Sequence, residues 1–198
     1  MFDALIAWDH HTFQLINGTW HHPLLDRLFP FLTDPTHFLL PLGIVALTLL
    51  LWGNGRMRQL VVLAVVGVVL ADAVSAHLFK ETVLRTRPCN ALPQVRLLVG
   101  CANTPSFPSN HAVNASALAL LVALYIRPLA IPAAFAALLV AYSRVYVGVH
   151  YPLDVLSGAL LGVVIALLLS QGLPFVLRRL PPWAARTRVA SALGAQGS

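Results

Sequence analysis

Two histidines stand in polar clusters that interrupt an otherwise apolar sequence. His111 closes the run Pro-Ser-Asn-His, and His150 precedes the carboxylate of Asp154 by four residues. A carboxylate that accepts a hydrogen bond from one ring nitrogen fixes the tautomer of an imidazole and leaves the other nitrogen free to act as a nucleophile or a base. His150 and Asp154 are therefore candidates for such a pair, whereas a lone histidine at this position would more often be inert.

Three basic residues accompany the histidines. Lys80 and Arg87 lie in one cluster, and Arg144 lies six residues before His150. Ionisable groups near a bilayer are costly unless they pair or serve a function, and arginine binds oxyanions with its planar guanidinium. Taken alone, Lys80 and Arg87 could simply extend toward the membrane surface. Together with the histidines, they predict an anion site, and phosphate is the anion that fits best.

Ser109 and Asn110 lie where an apolar run begins. A serine after a proline and before such a run is typical of a helix N-cap. The backbone N–H groups that follow would lie at the positive end of the helix dipole, where phosphate binds well. A plain cap with no role in binding is the alternative for Ser109.

The elements that must position these residues are membrane helices. The chain is 58% hydrophobic and only 10% charged, outside the range of ordinary soluble domains. Arg127-Pro128 divides one apolar stretch that is too long for a single span. We therefore predict an all-α membrane bundle of about five transmembrane helices, with residues 1–34 as an interfacial amphipathic helix, a single domain over 1–180 and a flexible cytoplasmic tail over 181–198. The apolar stretches are 36–52, 60–79, 112–147 and 153–177.

The distribution of charge predicts the orientation of the bundle. Alternating the five spans places most arginines on one side, and the positive-inside rule makes that side cytoplasmic. The clusters that hold the histidines then face outward, and the first residues lack the pattern of a signal peptide. Nucleic acid is not expected as a partner, because most basic residues flank apolar runs. The two cysteines, Cys89 and Cys101, share an outer loop and are either paired or free.

The three clusters occur in an order and spacing that match a known family. The chain has Lys80 with six residues before Arg87-Pro88, then Pro-Ser-x-His, then Ser-Arg with five residues before His150 and three more before Asp154. This pattern resembles the type 2 phosphatidic acid phosphatase (PAP2) superfamily. That family includes bacterial undecaprenyl-diphosphatases and phosphatidylglycerophosphate phosphatases.

The resemblance implies a role for each matching residue. His150 would attack phosphorus to form a phosphohistidine, Asp154 would orient it, and His111 would protonate the leaving oxygen. No metal or other cofactor is expected. Family members usually have glycine where this chain has Asn110, and we expect the same reaction with altered rate or selectivity. The phosphate-binding residues would be Lys80, Arg87, Ser109, Asn110 and Arg144.

The resemblance also narrows the substrate and the location. It implies a lipid phosphatase of the bacterial inner membrane that acts at the periplasmic or outer face, with undecaprenyl diphosphate as the first choice and phosphatidylglycerophosphate, phosphatidic acid or a lipid A phosphate as alternatives. A small anion or proton transporter would carry ionisable groups through the membrane rather than at one face. A vanadate-dependent peroxidase would not need five spans. The oligomeric state stays open.

Overall fold

The first quarter of the chain forms three helices. The computed structural model describes residues 2–179, and this part of the chain consists of helices joined by turns and loops, without a β-strand. The predicted tail over 181–198 lies outside the described residues. A bend of 53° separates the second helix from the third. The elements are α1 (Phe2–Gln14), a π-helical turn (Leu15–Thr19), α2 (Pro23–Thr33) and α3 (Thr36–Trp52).

The rest of the described chain contains four longer helices and two short ones. The Asn54 side chain caps the first of the long helices by accepting a hydrogen bond from the backbone of Met57 at 3.1 Å. A 3-10 turn over Arg127–Leu129 separates two others, at the position where Arg127-Pro128 predicted a break. These elements are α4 (Gly55–Val74) with a π-helical extension (Ser75–Lys80), α5 (Glu81–Val83), α6 (Pro88–Ala91), α7 (Asn110–Tyr125), α8 (Ala130–Tyr146) and α9 (Pro152–Arg179).

Several of these helices are suited to a membrane. Three helical stretches, 55–91, 127–146 and 152–172, are long and apolar enough to cross a bilayer, and the bent pair α2–α3 adds a fourth candidate. The remaining apolar helix, α7, has 16 residues, or about 24 Å at ~1.5 Å per residue, against a hydrocarbon core of about 30 Å. The chain is an all-helical membrane protein, and the number of five spans stays a prediction.

Helix α7 lies at the centre of the bundle, packed against α4, α8 and α9. Its contact with α9 is close because Gly162 has no side chain between the two backbones. Ser116 of α7 donates to the carbonyl oxygen of Ala159 in α9 at 3.0 Å. Small residues and hydroxyl bonds of this kind are typical of helix packing within membranes. Apolar side chains face outward instead, as Leu40 of α3 does with 73% of its surface exposed.

The N-terminal segment differs from the sequence prediction. It forms two helices joined by a π-helical turn, rather than one helix, and both helices pack against other helices of the bundle. Asp9 and Phe13 of α1 are buried. The buried Asn17 side chain donates to the carbonyl oxygens of Arg96 and Tyr146 at 2.8 Å each and accepts from the Arg96 backbone at 2.9 Å. These long-range bonds, which local amphipathicity does not reveal, attach the segment to the end of the bundle that holds the candidate site.

Candidate active site

The predicted site residues lie at helix ends that meet at one end of the bundle. Successive helices alternate in direction, so the ends of α4 and α8 and the beginnings of α7 and α9 come together. A cavity of about 250 Å³ opens among them. Of the eight residues predicted from the sequence, six line it, while Ser109 and Asp154 lie outside its lining. The lining residues are Lys80, Arg87, Gly100, Ala102, Asn110, His111, Arg144 and His150.

Arg87 fixes the protonation pattern of His150. Its Nη1 lies 3.0 Å from Nε2 of His150 and donates to the carbonyl oxygen of Val149 at 3.2 Å, while its Nε donates to the carbonyl oxygen of Thr104 at 2.8 Å. A guanidinium group only donates hydrogen bonds. His150 Nε2 must therefore be the acceptor, so its lone pair is free of a proton and the ring proton sits on Nδ1.

The other ring nitrogen of His150 lies next to Asp154. His150 Nδ1 lies 3.5 Å from Oδ2 of Asp154, a long contact that places the ring proton toward the carboxylate. The same oxygen accepts the backbone N–H of Tyr151 at 2.9 Å, which fixes the carboxylate. Among the described residues, Nδ1 of His150 makes no hydrogen bond, so the two side chains are adjacent and the hydrogen bond from the imidazole to Asp154 stays a prediction.

Burial keeps the imidazole neutral. His150 lies in the loop between α8 and α9 and is only 2% exposed. Burial lowers the pKa of His150 to about 4, and the charges of Arg144 and Arg87 act in the same direction, whereas Asp154 opposes them. The ring is therefore uncharged near pH 7 and keeps the lone pair that a nucleophile requires.

Arg144 joins the site to the N-terminal helices. Its Nη1 donates to the hydroxyl of Thr33 at the end of α2, and its own Nε has no partner. Arg144 also lines a second cavity of about 530 Å³, which contains Phe31, Asp34 and His37. Gly100 and Arg144 line both cavities, so the two spaces adjoin.

Ser109 occupies the predicted N-cap position of α7 without capping the helix through its side chain. Its hydroxyl is buried and makes no hydrogen bond. Its backbone N–H donates to the carbonyl oxygen of Asp154 at 2.9 Å, which ties the beginnings of α7 and α9 together. The position was predicted correctly, but the interaction of a plain cap is absent.

The side chain of Asn110 is hydrogen-bonded to a carboxylate within the bundle. Its Nδ2 donates to Oδ1 of Asp72 at 3.1 Å, and Nδ2 of Asn114 reaches the same oxygen at 3.3 Å. Asp72 thus forms a polar bridge from α4 to α7. A direct bond from the Asn110 amide to phosphate, which the sequence suggested, would require this donor to change partner.

The structure adds features that sequence reasoning missed or left open. Arg85 donates to Asp154 Oδ1 at 2.7 Å and also pairs with Asp9 of α1. The signal for Arg85 was a third basic residue in the cluster of Lys80 and Arg87. The two cysteines, left open above, form a disulfide with a Cα–Cα distance of 6.2 Å.

Comparison with known proteins places the chain in a family. The family model of the PAP2 superfamily matches residues 42–177, which is more than half of the chain. The chain belongs to the PAP2 superfamily. The matched range contains all eight predicted site residues, and membership of this superfamily makes the chain a phosphatase.

Individual PAP2 relatives are similar over most of their length. The chain is 30% identical over 162 residues to undecaprenyl-diphosphatase BcrC of Bacillus subtilis, covering 81% of each protein. It is 34% identical over 168 residues to an undecaprenyl-diphosphatase of Sulfolobus acidocaldarius, covering 84% of this chain and 79% of the relative. The crystal structure of a transmembrane PAP2-type phosphatidylglycerolphosphate phosphatase from Bacillus subtilis superposes with a TM-score of 0.65 at 25% identity, covering 90% of each chain.

Proposed function

We propose that this PAP2 protein hydrolyses a lipid-linked diphosphate, with undecaprenyl diphosphate as the first candidate, through a phosphohistidine on His150. The observation that carries the proposal is the unprotonated Nε2 of His150 in a cavity lined by three cationic side chains. Among the residues that the structure describes, no carboxylate lines that cavity, so its field favours a phosphate group. The three cationic residues are Lys80, Arg87 and Arg144.

The first step transfers the terminal phosphoryl group to the enzyme. The lone pair on Nε2 of His150 attacks the terminal phosphorus, and the bond from that phosphorus to the bridging oxygen breaks. His111 donates a proton to the bridging oxygen, which leaves as the lipid monophosphate. Asp154 stabilises the positive charge that the imidazole gains. Arg87 exchanges its contact with Nε2 for the phosphoryl oxygens, where its charge is most useful as negative charge builds up.

The second step returns the enzyme to its starting state. Water attacks the phosphorus of the phosphohistidine and gives up a proton to His111. The phosphorus–nitrogen bond breaks, inorganic phosphate leaves, and His150 recovers its lone pair. Each atom of water ends in a product or on His111, which is then ready to protonate the next leaving group. These steps use only side chains of the site, and we expect turnover without a metal ion.

The rest of the lipid would occupy the adjoining cavity of about 530 Å³. Arg144 lines both spaces and would contact the substrate on either side of the cleaved bond. The larger cavity includes apolar surface from Pro30, Phe31 and Val99. This mixture suits the part of a lipid headgroup that lies next to its hydrocarbon chain.

The site would face the outer side of a bacterial inner membrane. Arg56 at the start of α4 donates to the carbonyl oxygen of Leu124 near the end of α7 at 2.9 Å, which places it at the opposite end of the bundle from His150. Arg58 and Arg127 belong to the same opposite end. The positive-inside rule makes that end cytoplasmic.

The names of the relatives guide the choice of lipid. Two of them are undecaprenyl-diphosphatases that the chain covers for about four fifths of their length. The superposed structure is a phosphatidylglycerolphosphate phosphatase, and this lipid is the second candidate. Phosphatidic acid and a lipid A phosphate complete the set to be tested.

The decisive experiment measures phosphate release by the purified protein in detergent with EDTA present. Undecaprenyl diphosphate, phosphatidylglycerophosphate, phosphatidic acid and a lipid A phosphate are compared side by side. We expect the highest kcat/KM on undecaprenyl diphosphate, and loss of turnover in His150→Ala. Acid-labile, base-stable phosphate bound to the wild-type protein would identify the phosphohistidine.

The exposed residue His77 provides a matched control. Its side chain is exposed, contacts Glu81 and does not line the cavity of the site. His77→Ala should therefore keep wild-type turnover. Full activity in His150→Ala would refute the assignment of the nucleophile. Preference for another lipid would replace undecaprenyl diphosphate, and activity that EDTA abolishes would refute the metal-free reaction.

A further inference from the structure

The N-terminal helix α1 carries a carboxylate that is buried next to the site. Asp9 of α1 has 0% of its surface exposed. Its Oδ1 accepts the backbone N–H of Leu153, in the first turn of α9, at 2.8 Å. Its Oδ2 accepts from Nη2 of Arg85. A fully buried carboxylate is costly unless its oxygens are satisfied, and here both are used.

Arg85 connects this carboxylate to the one that faces His150. Its Nη1 donates to Oδ1 of Asp154 at 2.7 Å, while Nη2 serves Asp9. Its guanidinium carbon lies 4.0 Å from the centre of the Tyr151 ring, and the ring of His10 stacks on Tyr151 at 5.0 Å between centroids. Arg85 is therefore held in one orientation by α1 on one side and α9 on the other.

We infer that Asp9 and Arg85 are positioning residues for the reaction at His150, and that α1 is thereby a working part of the active site. The inference rests on the proposed role of His150 as nucleophile. Asp9, Arg85 and Asp154 form one cluster of two buried carboxylates and a partly buried guanidinium, with a formal net charge of −1. Arg85 fixes the rotation of Asp154, because it holds Oδ1 and leaves Oδ2 toward the imidazole.

Asp9 has a distinct electrostatic role within this cluster. Without it, the charge of Arg85 would cancel that of Asp154, and the cluster would present no net charge to His150. The imidazole gains positive charge when it attacks phosphorus, so a cluster of −1 favours the transition state more than a neutral cluster does. The other charged and titratable groups around His150 do not supply this negative charge. They are Arg87 beside the ring, Arg144 from α8, His111 from α7 and Lys80 in the same cavity.

The two residues therefore predict opposite changes in the pH profile. Asp9→Asn removes one negative charge, which lowers the pKa of His150 and moves the acid limb of kcat/KM to lower pH. Arg85→Gln removes one positive charge, which raises the pKa of His150 and moves the acid limb to higher pH. If the cluster had a purely structural role, the acid limbs of the two variants would shift in the same direction or would not shift.

The experiment compares these variants in detergent with the lipid on which the wild-type protein turns over fastest. For Asp9→Asn we expect kcat to fall about 10- to 100-fold, as for residues that orient an active-site ligand from behind, with KM changed less than about twofold. Asp3→Asn is the matched control, because Asp3 lies exposed on the same helix and loses the same charge. It should keep wild-type kcat and the wild-type pH profile.

Two further variants keep the test independent of folding. Asp9→Glu and Arg85→Lys preserve each charge and should retain the pH profile even where kcat falls. Gel filtration and circular dichroism report whether each protein is folded. Unchanged kcat in folded Asp9→Asn, or acid limbs that move together in Asp9→Asn and Arg85→Gln, would overturn the inference.

Failure of the proposed function gives a different pattern. A wild-type protein without activity on any lipid phosphate refutes the function itself. An active His150→Ala protein refutes the nucleophile on which the inference rests. Wild-type activity that is lost in His150→Ala and retained in Asp9→Asn refutes only the role of Asp9.

Discussion

Replacing Gly162 by alanine should separate α9 from α7 and weaken both stability and catalysis. A Cβ atom at Gly162 would lie 2.2 Å from the carbonyl oxygen of Val113 and 2.2 Å from Oγ of Ser116. Ordinary van der Waals contact begins at 3.4 Å, so the backbone of α9 must retreat by about 1.2 Å at this point. One of these two atoms, the carbonyl oxygen of Val113, belongs to the backbone, which cannot rotate away as a side chain can.

The structure gives the size of the effect. Overpacking of a close contact costs about 1–3 kcal/mol. The shift would also stretch the bonds from Ser116 to Ala159, at 3.0 Å, and from the Ser109 backbone to Asp154, at 2.9 Å. Bonds between membrane helices contribute about 0.6 kcal/mol each. We therefore expect a loss of about 2–4 kcal/mol in the free energy of unfolding.

Catalysis should fall as well, because α9 positions Asp154 and the approach to His150 while α7 positions His111. A misplacement of about 1 Å can cost roughly 100-fold in rate. The free energy of unfolding is measured by titrating the protein, in a mild detergent, with a denaturing detergent. Phosphate release per folded protein measures kcat.

Gly172→Ala is the matched control, because Gly172 lies on the same helix and a Cβ there meets nothing within 4 Å. It should change stability by less than about 1 kcal/mol, the difference in helix propensity between the two residues. If Gly162→Ala behaves like this control, the close approach of α9 to α7 at Gly162 is not required for stability or catalysis. If stability falls while kcat is unchanged, the packing of α7 on α9 does not set the geometry of the site.

Three further predictions concern the site itself. Because the pKa of His150 is lowered from 6.5 to about 4, the neutral nucleophile persists below pH 6, and the acid limb of kcat/KM that reports His150, corrected for substrate ionisation, should lie near pH 4; an acid limb of His150 near 6.5 contradicts the buried imidazole. Cys89→Ser should lower the free energy of unfolding by about 2–4 kcal/mol. It should also raise KM, since the disulfide ties Cys89, two residues after Arg87, to Cys101, which lies between the cavity-lining residues Gly100 and Ala102. Equal unfolding curves with and without reductant would argue against this role of the disulfide. Arg87→Lys keeps the charge but not the fork that holds Thr104 and Val149, so kcat/KM should fall about 10²- to 10³-fold, whereas near-normal kinetics would show that charge alone suffices.

The sequence alone was sufficient to predict an all-helical membrane protein and most of the residues that line the candidate cavity. Apolar stretches of membrane length are local features, and α3 begins and ends at the residues that hydropathy indicated, 36–52. The break at Arg127-Pro128 was predictable because proline and a charge do not continue an apolar span. The order and spacing of Lys80, Arg87, His111, His150 and Asp154 predicted one anion site, and six of the eight predicted residues line a single cavity.

Only the tertiary structure revealed what holds those residues in place. Asp9 lies 76 residues from Arg85 and 144 from Leu153 along the chain, and no local pattern links them. In the sequence, Asp9 belonged to a segment whose mixture of polar and apolar residues favoured an interfacial helix, whereas burial of its carboxylate depends on a guanidinium and a helix N-terminus supplied by distant elements. The tautomer of His150 was decided in the same way, because it follows from Arg87 as the donor on one ring nitrogen. Residues that could carry chemistry are predictable from their spacing, because spacing along a helix determines which side chains share a face or a helix end. The partners that orient these side chains come from contacts that exist only once the chain has folded.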